Sequence, residues 1–329
     1  MLSQTDFDKY DTDARGDRVI DVFGNMIERS MRACVASTFV PRGLKGFWIF
    51  TGIFLMKRRF MRSFRRSITT QYGNKLAGGP ADCSLNQIVF FRDVFEPVLS
   101  KLVWNIVEEG DICVDAGANV GYFSLLMAQK AGGTGKVISI EAAPGNAARL
   151  VHNIELNSLE DRVEVINAAC SDSGGALTFY LNATNDMACR LELPKRGELD
   201  YWLMGKNWQP TVVRADTLSA LVGRDTANVS FIKLDVEGTE HRLCKDILAN
   251  FTSSRLCVAI EAKQPYIRET LEPFERAGFF AYNLHNDYFW VIEKKFKPAT
   301  RVSFEELYAK KYMVDILLTR RELPSEILN

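Results

Sequence analysis

The 329-residue chain is 47% hydrophobic, enough for one large core with an appendage. Its 41 basic and 41 acidic side chains balance, so the molecule as a whole lacks the basic field that nucleic acid requires. Seven scattered cysteines with no C-x-x-C pair, beside only three histidines, disfavour a zinc centre or a disulfide framework and fit reduced thiols in a cytoplasmic setting.

The charge balance conceals an asymmetry. Residues 1–80 carry 14 basic and 7 acidic side chains, a net +7 that the remainder offsets with −7. The opening MLSQTDFDKYDTDARGD is polar and acid-rich, unlike a secretory leader. GFWIFTGIFLM (46–56) is apolar, but as a helix it measures about 16 Å, half a bilayer core. In KRRFMRSFRRSI, Phe60, Phe64 and Ile68 share one face while Arg58, Arg59, Arg62, Arg65 and Arg66 point elsewhere, the pattern of a basic amphipathic helix. Two readings stand: a helix packed on its own protein, or peripheral contact of residues 46–68 with the inner membrane face or an acidic partner. LAGGPADCS (76–84) reads as a linker.

From about residue 85 the texture becomes regular. DICVDAG predicts a buried strand, YFSLLMAQKAGG a helix stopped by Gly132 and Gly133, and KVISIEA a second strand. A helix opens at Pro144, and RVEVINAAC is a third strand. Strand and helix alternate here as in a parallel sheet wound with crossovers. An irregular stretch (170–228) follows, and then SFIKLDVEG, TEHRLCKDILANF and LCVAIEA repeat the pattern. YIRETLEPFERAGF is a helix kinked or restarted near Pro273, and FAYNLHNDYFWVIEKKF an antiparallel hairpin turning at Asn286-Asp287. Ser303 and Glu306 have capping-box spacing, so a further helix is expected. The fold class is therefore α/β, a doubly wound sheet of seven strands ending in an antiparallel hairpin, with an N-terminal helical extension. Expected boundaries are 1–80 for the extension, 81–298 for the main domain and 299–329 for a C-terminal helical tail.

VDAGANVGYFS (114–124) is the turn where chemistry is expected. The spacing Gly117-Ala-Asn119-Val-Gly121 departs from the G-x-G-x-x-G of dinucleotide folds, and no Gly-Lys-Ser/Thr follows for a P-loop. Asp115 puts a carboxylate beside the turn, repelling phosphate and attracting a sulfonium or ammonium group. S-adenosylmethionine carries both cations and no phosphate. Glu141, ending the second strand, is placed to accept hydrogen bonds from ribose hydroxyls, and Asp172 with Ala169 and Cys170 is expected near the adenine.

In sequence the chain resembles the FkbM-type methyltransferases over roughly residues 85–295. The resemblance is carried by FRDVFEPVLSKLV, GDICVDAGANVGYFSLLMA, GKVISIEAAPGNAARLVHNIELN, VEVINAACSDSGG, ADTLSAL and above all FIKLDVEGTEHRLCKDI. It implies a class I methyltransferase sheet and transfer of a methyl group from S-adenosylmethionine, typically to a hydroxyl of a sugar or natural product. One departure is that Ala142 follows Glu141 where the family commonly has proline, which stands here at Pro144.

A hydroxyl acceptor needs a base near the carboxyl end of the sheet. Asp235 ends the fourth strand, Glu237 follows it, and Glu261 ends the fifth. These acids could converge, one as base or together around a divalent cation. His285 at the hairpin is the best-placed imidazole, Lys233 is expected to pair with an acid, and the loops 182–189 and 201–208 could line the acceptor. Two other readings are a nucleoside-binding module without catalysis, recruited through its basic helix, and a nicotinamide oxidoreductase, which Asn119 disfavours.

Overall fold

A computed structural model describes residues 67–78, 83–182, 189–193, 208–286 and 296–328. The amphipathic stretch before residue 67, most of the two loops expected over the acceptor (183–188 and 201–207) and the second half of the expected hairpin (287–295) lie outside these residues.

In chain order come β1 (Ser67–Thr69), β2 (Lys75–Ala77), α1 (Ser84–Arg92), α2 (Pro97–Ile106), β3 (Ile112–Ala116), α3 (Tyr122–Ala131), β4 (Lys136–Ile140) and α4 (Pro144–Leu156). Then follow β5 (Val163–Ile166), β6 (Ala169–Cys170), β7 (Gly175–Asn182), β8 (Trp208–Asp216), α5 (Leu218–Val222), β9 (Val229–Leu234), α6 (Glu240–Asn250) and β10 (Cys257–Lys263). The chain closes with α7 (Ile267–Arg276), β11 (Phe280–Asn283), β12 (Thr300–Val302), α8 (Phe304–Tyr308), β13 (Met313–Thr319) and α9 (Ser325–Leu328).

The main sheet has eight strands in the order β12-β11-β13-β10-β9-β3-β4-β5. Strands β5, β4, β3, β9 and β10 are mutually parallel, and β13 is inserted antiparallel between β10 and β11. The order reverses direction at β3/β9, and the crevice beyond the carboxyl ends of those strands is where a doubly wound sheet binds its ligand. Their burial explains the position: Val229 to Leu234 are all buried, so β9 is covered on both faces. One apolar cluster, including Leu125, Leu126 and Leu150, lies under one face, and a second, including Ile232, Leu243 and Phe274, under the other.

Four expectations are corrected. The C-terminal segment is not a helical tail: its capping box forms at Ser303, but α8 is only five residues long. The following β13 is buried at Val314 and from Ile316 to Thr319 and supplies the antiparallel strand that the hairpin was expected to give. Strand β11 pairs instead with β13 and β12. The stretch 170–228 holds a separate three-stranded sheet, β6-β8-β7, over a small cluster that includes Phe179 and Ala215. Ile68 ends no helix. It lies in β1, and with Leu76 of β2 it is buried in the main core, so the boundary near residue 80 cuts through packed structure. Asn153 and Asn157 of α4 accept the β2 N–H groups of Ala77 and Lys75 at 2.7 and 2.8 Å, which ties this hairpin down. Pro273 lies inside α7, which runs through it as one helix.

Candidate active site

The turn between β3 and α3 is built by close approach. Gly117 has φ +80°, and a methyl group there would stand 1.8 Å from the carbonyl oxygen of Asp235. Gly121 has φ +94°, and its methyl would meet Leu150 Cδ1 at 2.4 Å. Only glycine combines the left-handed backbone with that contact. Asn119 also has a positive φ, +51°, and its side chain accepts the Val120 N–H at 2.8 Å. The N–H of Asn119 reaches across to Glu141 Oε2 at 2.8 Å, and the Ala143 N–H to Oε1 at 2.8 Å. Each carboxylate oxygen thus keeps lone pairs for a further donor. Burial pushes the Glu141 carboxyl up to about 7, against the pull of those two N–H groups.

This turn and Glu141 border an open cleft. Ala168, Ala169, Cys170 and Phe179 form an apolar wall, Cys189 and Leu191 lie along it, and Tyr122 and Phe123 line the α3 side. Lys233, Asp235 and Glu237 complete the lining.

A polar row crosses the sheet beneath. Ser139, Asp115 and Lys233 are register partners on β4, β3 and β9. Asp115 is 1% exposed, takes the Ser124 hydroxyl at 2.6 Å, and does not border the cleft. Its expected direct contact with a cationic ligand is therefore corrected: the side chain points into the sheet interior, where Ser124 holds it and Lys233 offsets its charge. Burial still raises its carboxyl above the ordinary range. Lys233 donates to Asp235 Oδ2 at 3.0 Å, the pairing expected for it. Burial opposes its charge, but Asp235, Asp115 and Glu96 together hold the ammonium above its usual range. Burial likewise opposes ionisation of Asp235, yet Lys233, Lys263 and Arg190 hold that carboxyl below its usual range.

The β9–α6 loop is folded around its own acids. Glu240 Oε1 accepts the N–H groups of Val236 and Gly238, both at 3.1 Å, a cap at the start of α6. Glu237 has φ +60° and is gripped by Arg190 at 3.0 Å and Lys263 at 3.3 Å. Arg190 and Glu192 come from the strip 189–193, and Glu192 is paired with Arg242 of α6. Two ion pairs therefore bind the strip beside the cleft to the loop that carries Asp235. Glu261 is held by Lys263 at 2.6 Å. It lies behind Asp235 rather than in the cleft, and burial raises its carboxyl well above the usual range.

Two other expected residues stand apart. Asp172 is exposed in a serine-rich turn near the Ser171 and Ser173 hydroxyls, outside the cleft, whereas Ala169 and Cys170 are in its wall as expected. His285 has φ +49°, is 2.7 Å from the Thr300 hydroxyl, and borders a separate small cavity with Glu96 and Asp315. The β12 strand draws the imidazole away from the cleft. Residues missed in the sequence are Arg190, Lys263, Asp315 and Glu96. Asp315 pairs with Glu261 in register across β13 and β10. Lys263 had a signal, standing two residues after Glu261 on the same strand face.

The model of the methyltransferase FkbM domain matches residues 115–281, half of the chain, from the buried Asp115 to β11. The chain belongs to the FkbM methyltransferase family. Its sheet is the class I methyltransferase arrangement. No curated protein matches this FkbM methyltransferase. Among solved structures it is similar to a SAM-dependent O-methyltransferase from Thermotoga maritima, with 15% identity, 78% of each chain covered and a TM-score of 0.37. It is also similar to a SAM-dependent methyltransferase from Aquifex aeolicus, with 14% identity, 69% of this chain and 89% of that chain covered, and a TM-score of 0.34. A third is precorrin-6y C5,15-methyltransferase from Geobacter metallireducens GS-15, with 11% identity, 68% and 86% coverage, and a TM-score of 0.36.

The cofactor of this FkbM methyltransferase is S-adenosylmethionine, and the residues present fit it. Gly117 brings the turn's backbone to the cleft edge, Glu141 has lone pairs left for the ribose, and Ala169 and Cys170 offer an apolar wall for the adenine. No described helix is long and apolar enough to cross a membrane.

Proposed function

We propose that this methyltransferase acts on oxygen, methylating a hydroxyl of a saccharide or natural-product acceptor. The observation that carries the reading is the Asp235 carboxylate on the cleft wall, held by Lys233 at 3.0 Å and backed by the Gly117 turn. When bound, S-adenosylmethionine supplies an electrophilic methyl group. Glu141 takes the ribose hydroxyls, and the apolar wall of Ala169, Cys170 and Phe179 lines the same cleft. Asp235 accepts the hydroxyl proton. A hydroxyl oxygen gaining a bond to carbon releases its proton readily, so a carboxylate that neighbouring cations hold below its usual range is base enough. Lys233 orients it.

The test incubates purified protein with isotopically labelled S-adenosylmethionine and a panel of glycosides and polyols. A labelled methyl ether is expected, and label found only on nitrogen or carbon would overturn the reading. Peripheral membrane contact through residues 46–66 is a separate part of the proposal, supported by five arginines in Arg58–Arg66. Charge reversal at Arg62, Arg65 and Arg66 should weaken sedimentation with anionic liposomes, and unchanged sedimentation would remove that part.

A further inference from the structure

Asp235, Glu240 and Glu261 each offer an oxygen within 4.8 Å of the others, a grouping that hard divalent cations favour. Lys263 changes what that grouping means. Its ammonium lies 2.6 Å from Glu261 Oε2 and 3.3 Å from Glu237 Oε2. Its charge also acts on Asp235 and Glu240. Glu240 is further occupied, since its Oε1 accepts the Val236 and Gly238 N–H groups. Four carboxylates at this end of the sheet, those of Asp235, Glu237, Glu240 and Glu261, thus face three cations, Lys233, Lys263 and Arg190, brought from β9, β10 and the 189–193 strip. The Lys263 ammonium and the N–H groups on Glu240 thus occupy carboxylate oxygens that a divalent ion would need.

We infer that Lys263 is a positioning residue whose ammonium, paired with Glu261 and Glu237, takes the part a divalent cation would play among these acids and holds Glu237 on the cleft wall beside Asp235, so that methyl transfer needs no divalent metal. Its effect on turnover rests on the proposed O-methyl transfer. Its occupation of the acid group does not.

The experiment uses the full chain, stripped with chelator, as wild type, Lys263→Met and Lys263→Arg. Two quantities are measured: Mn²⁺ binding by electron paramagnetic resonance, and steady-state methyl transfer beside S-adenosylhomocysteine affinity. Wild type is expected to bind no Mn²⁺ at this group and to be indifferent to chelator. Lys263→Met should gain Mn²⁺ binding and lose about 100-fold in kcat with donor-product affinity unchanged, the penalty of a misplaced reacting group. Lys263→Arg should keep most of the activity. Stoichiometric Mn²⁺ binding by wild type, activity lost on chelation, or Lys263→Met with parental kcat and no Mn²⁺ would each overturn the inference. If no form transfers methyl to oxygen, the proposed function fails while the Mn²⁺ comparison still decides the role of Lys263. The wild-type and Lys263→Arg arms stand even if Lys263→Met fails to fold.

Discussion

Replacing Gly117 with alanine tests the donor turn at its tightest point. The added methyl would lie 1.8 Å from the Asp235 carbonyl oxygen, well inside any contact a real Cβ makes. The clash is with backbone, at the end of a fully buried strand, so no side chain can swing aside. The left-handed φ of +80° adds about 1 kcal/mol for any residue with a Cβ. With strand displacement included, about 2–4 kcal/mol of destabilisation is expected, which for a chain of this size lowers Tm by about 3–6 °C. Because Gly117 itself lines the cleft, the same shift should lower S-adenosylhomocysteine affinity at least about tenfold, equivalent to 1.4 kcal/mol. Gly145→Ala is the control: nothing lies within 4 Å of its Cβ and it sits in the first turn of α4, so its Tm should hold or rise slightly. Scanning fluorimetry and calorimetric titration measure both. A Gly117→Ala protein that melts and binds like its parent would refute the close-approach argument.

Glu141, raised to about 7 by burial, makes a signed pH prediction. Its contribution to stability is fully present below its unfolded pKa and is lost as pH rises to about 7, amounting to about 3 kcal/mol. Ribose hydroxyls favour the ionised form, so donor affinity should strengthen over that same rise. Glu141→Gln should flatten both profiles, and unchanged profiles would remove the ribose role. Asp235→Asn should lower kcat by about 100-fold or more with donor-product affinity held, measured by label transfer; equal activity would exclude it as the base. Arg190→Met breaks a buried pair, but Glu237 retains Lys263 and its side chain is 22% exposed. The expected cost is therefore about 1–2 kcal/mol in a denaturant titration, below the range for a stranded charge. A loss several times larger would show that the 189–193 strip depends on this pair alone.

The features most legible in the sequence were those that physics ties to neighbours in the chain. Gly117, Asn119 and Gly121 announce a left-handed corner after an apolar run, Pro144 opens α4 as its first residue, and Lys233 pairs with Asp235 two positions along one strand face. What escaped depends on residues far apart. Arg190 meets Glu237 across 47 positions, and Asp315 meets Glu261 only because β13 doubles back between β10 and β11. The segment MVDILLT follows a true capping box, which signalled a helix that ends after five residues, whereas the strand is set by pairing with β10 and β11, both distant in the chain. Asp115 was read correctly as special and placed wrongly. Strand alternation turned it toward Ser124 and the core rather than to the cleft mouth.

The most direct measurement is a crystal structure of the protein grown with S-adenosylhomocysteine. The ribose hydroxyls are expected on the Glu141 carboxylate, the adenine against Ala169 and Cys170, and the sulfur facing Asp235. Nucleoside density away from Glu141, or a pyrophosphate seated over Gly117, would contradict the account.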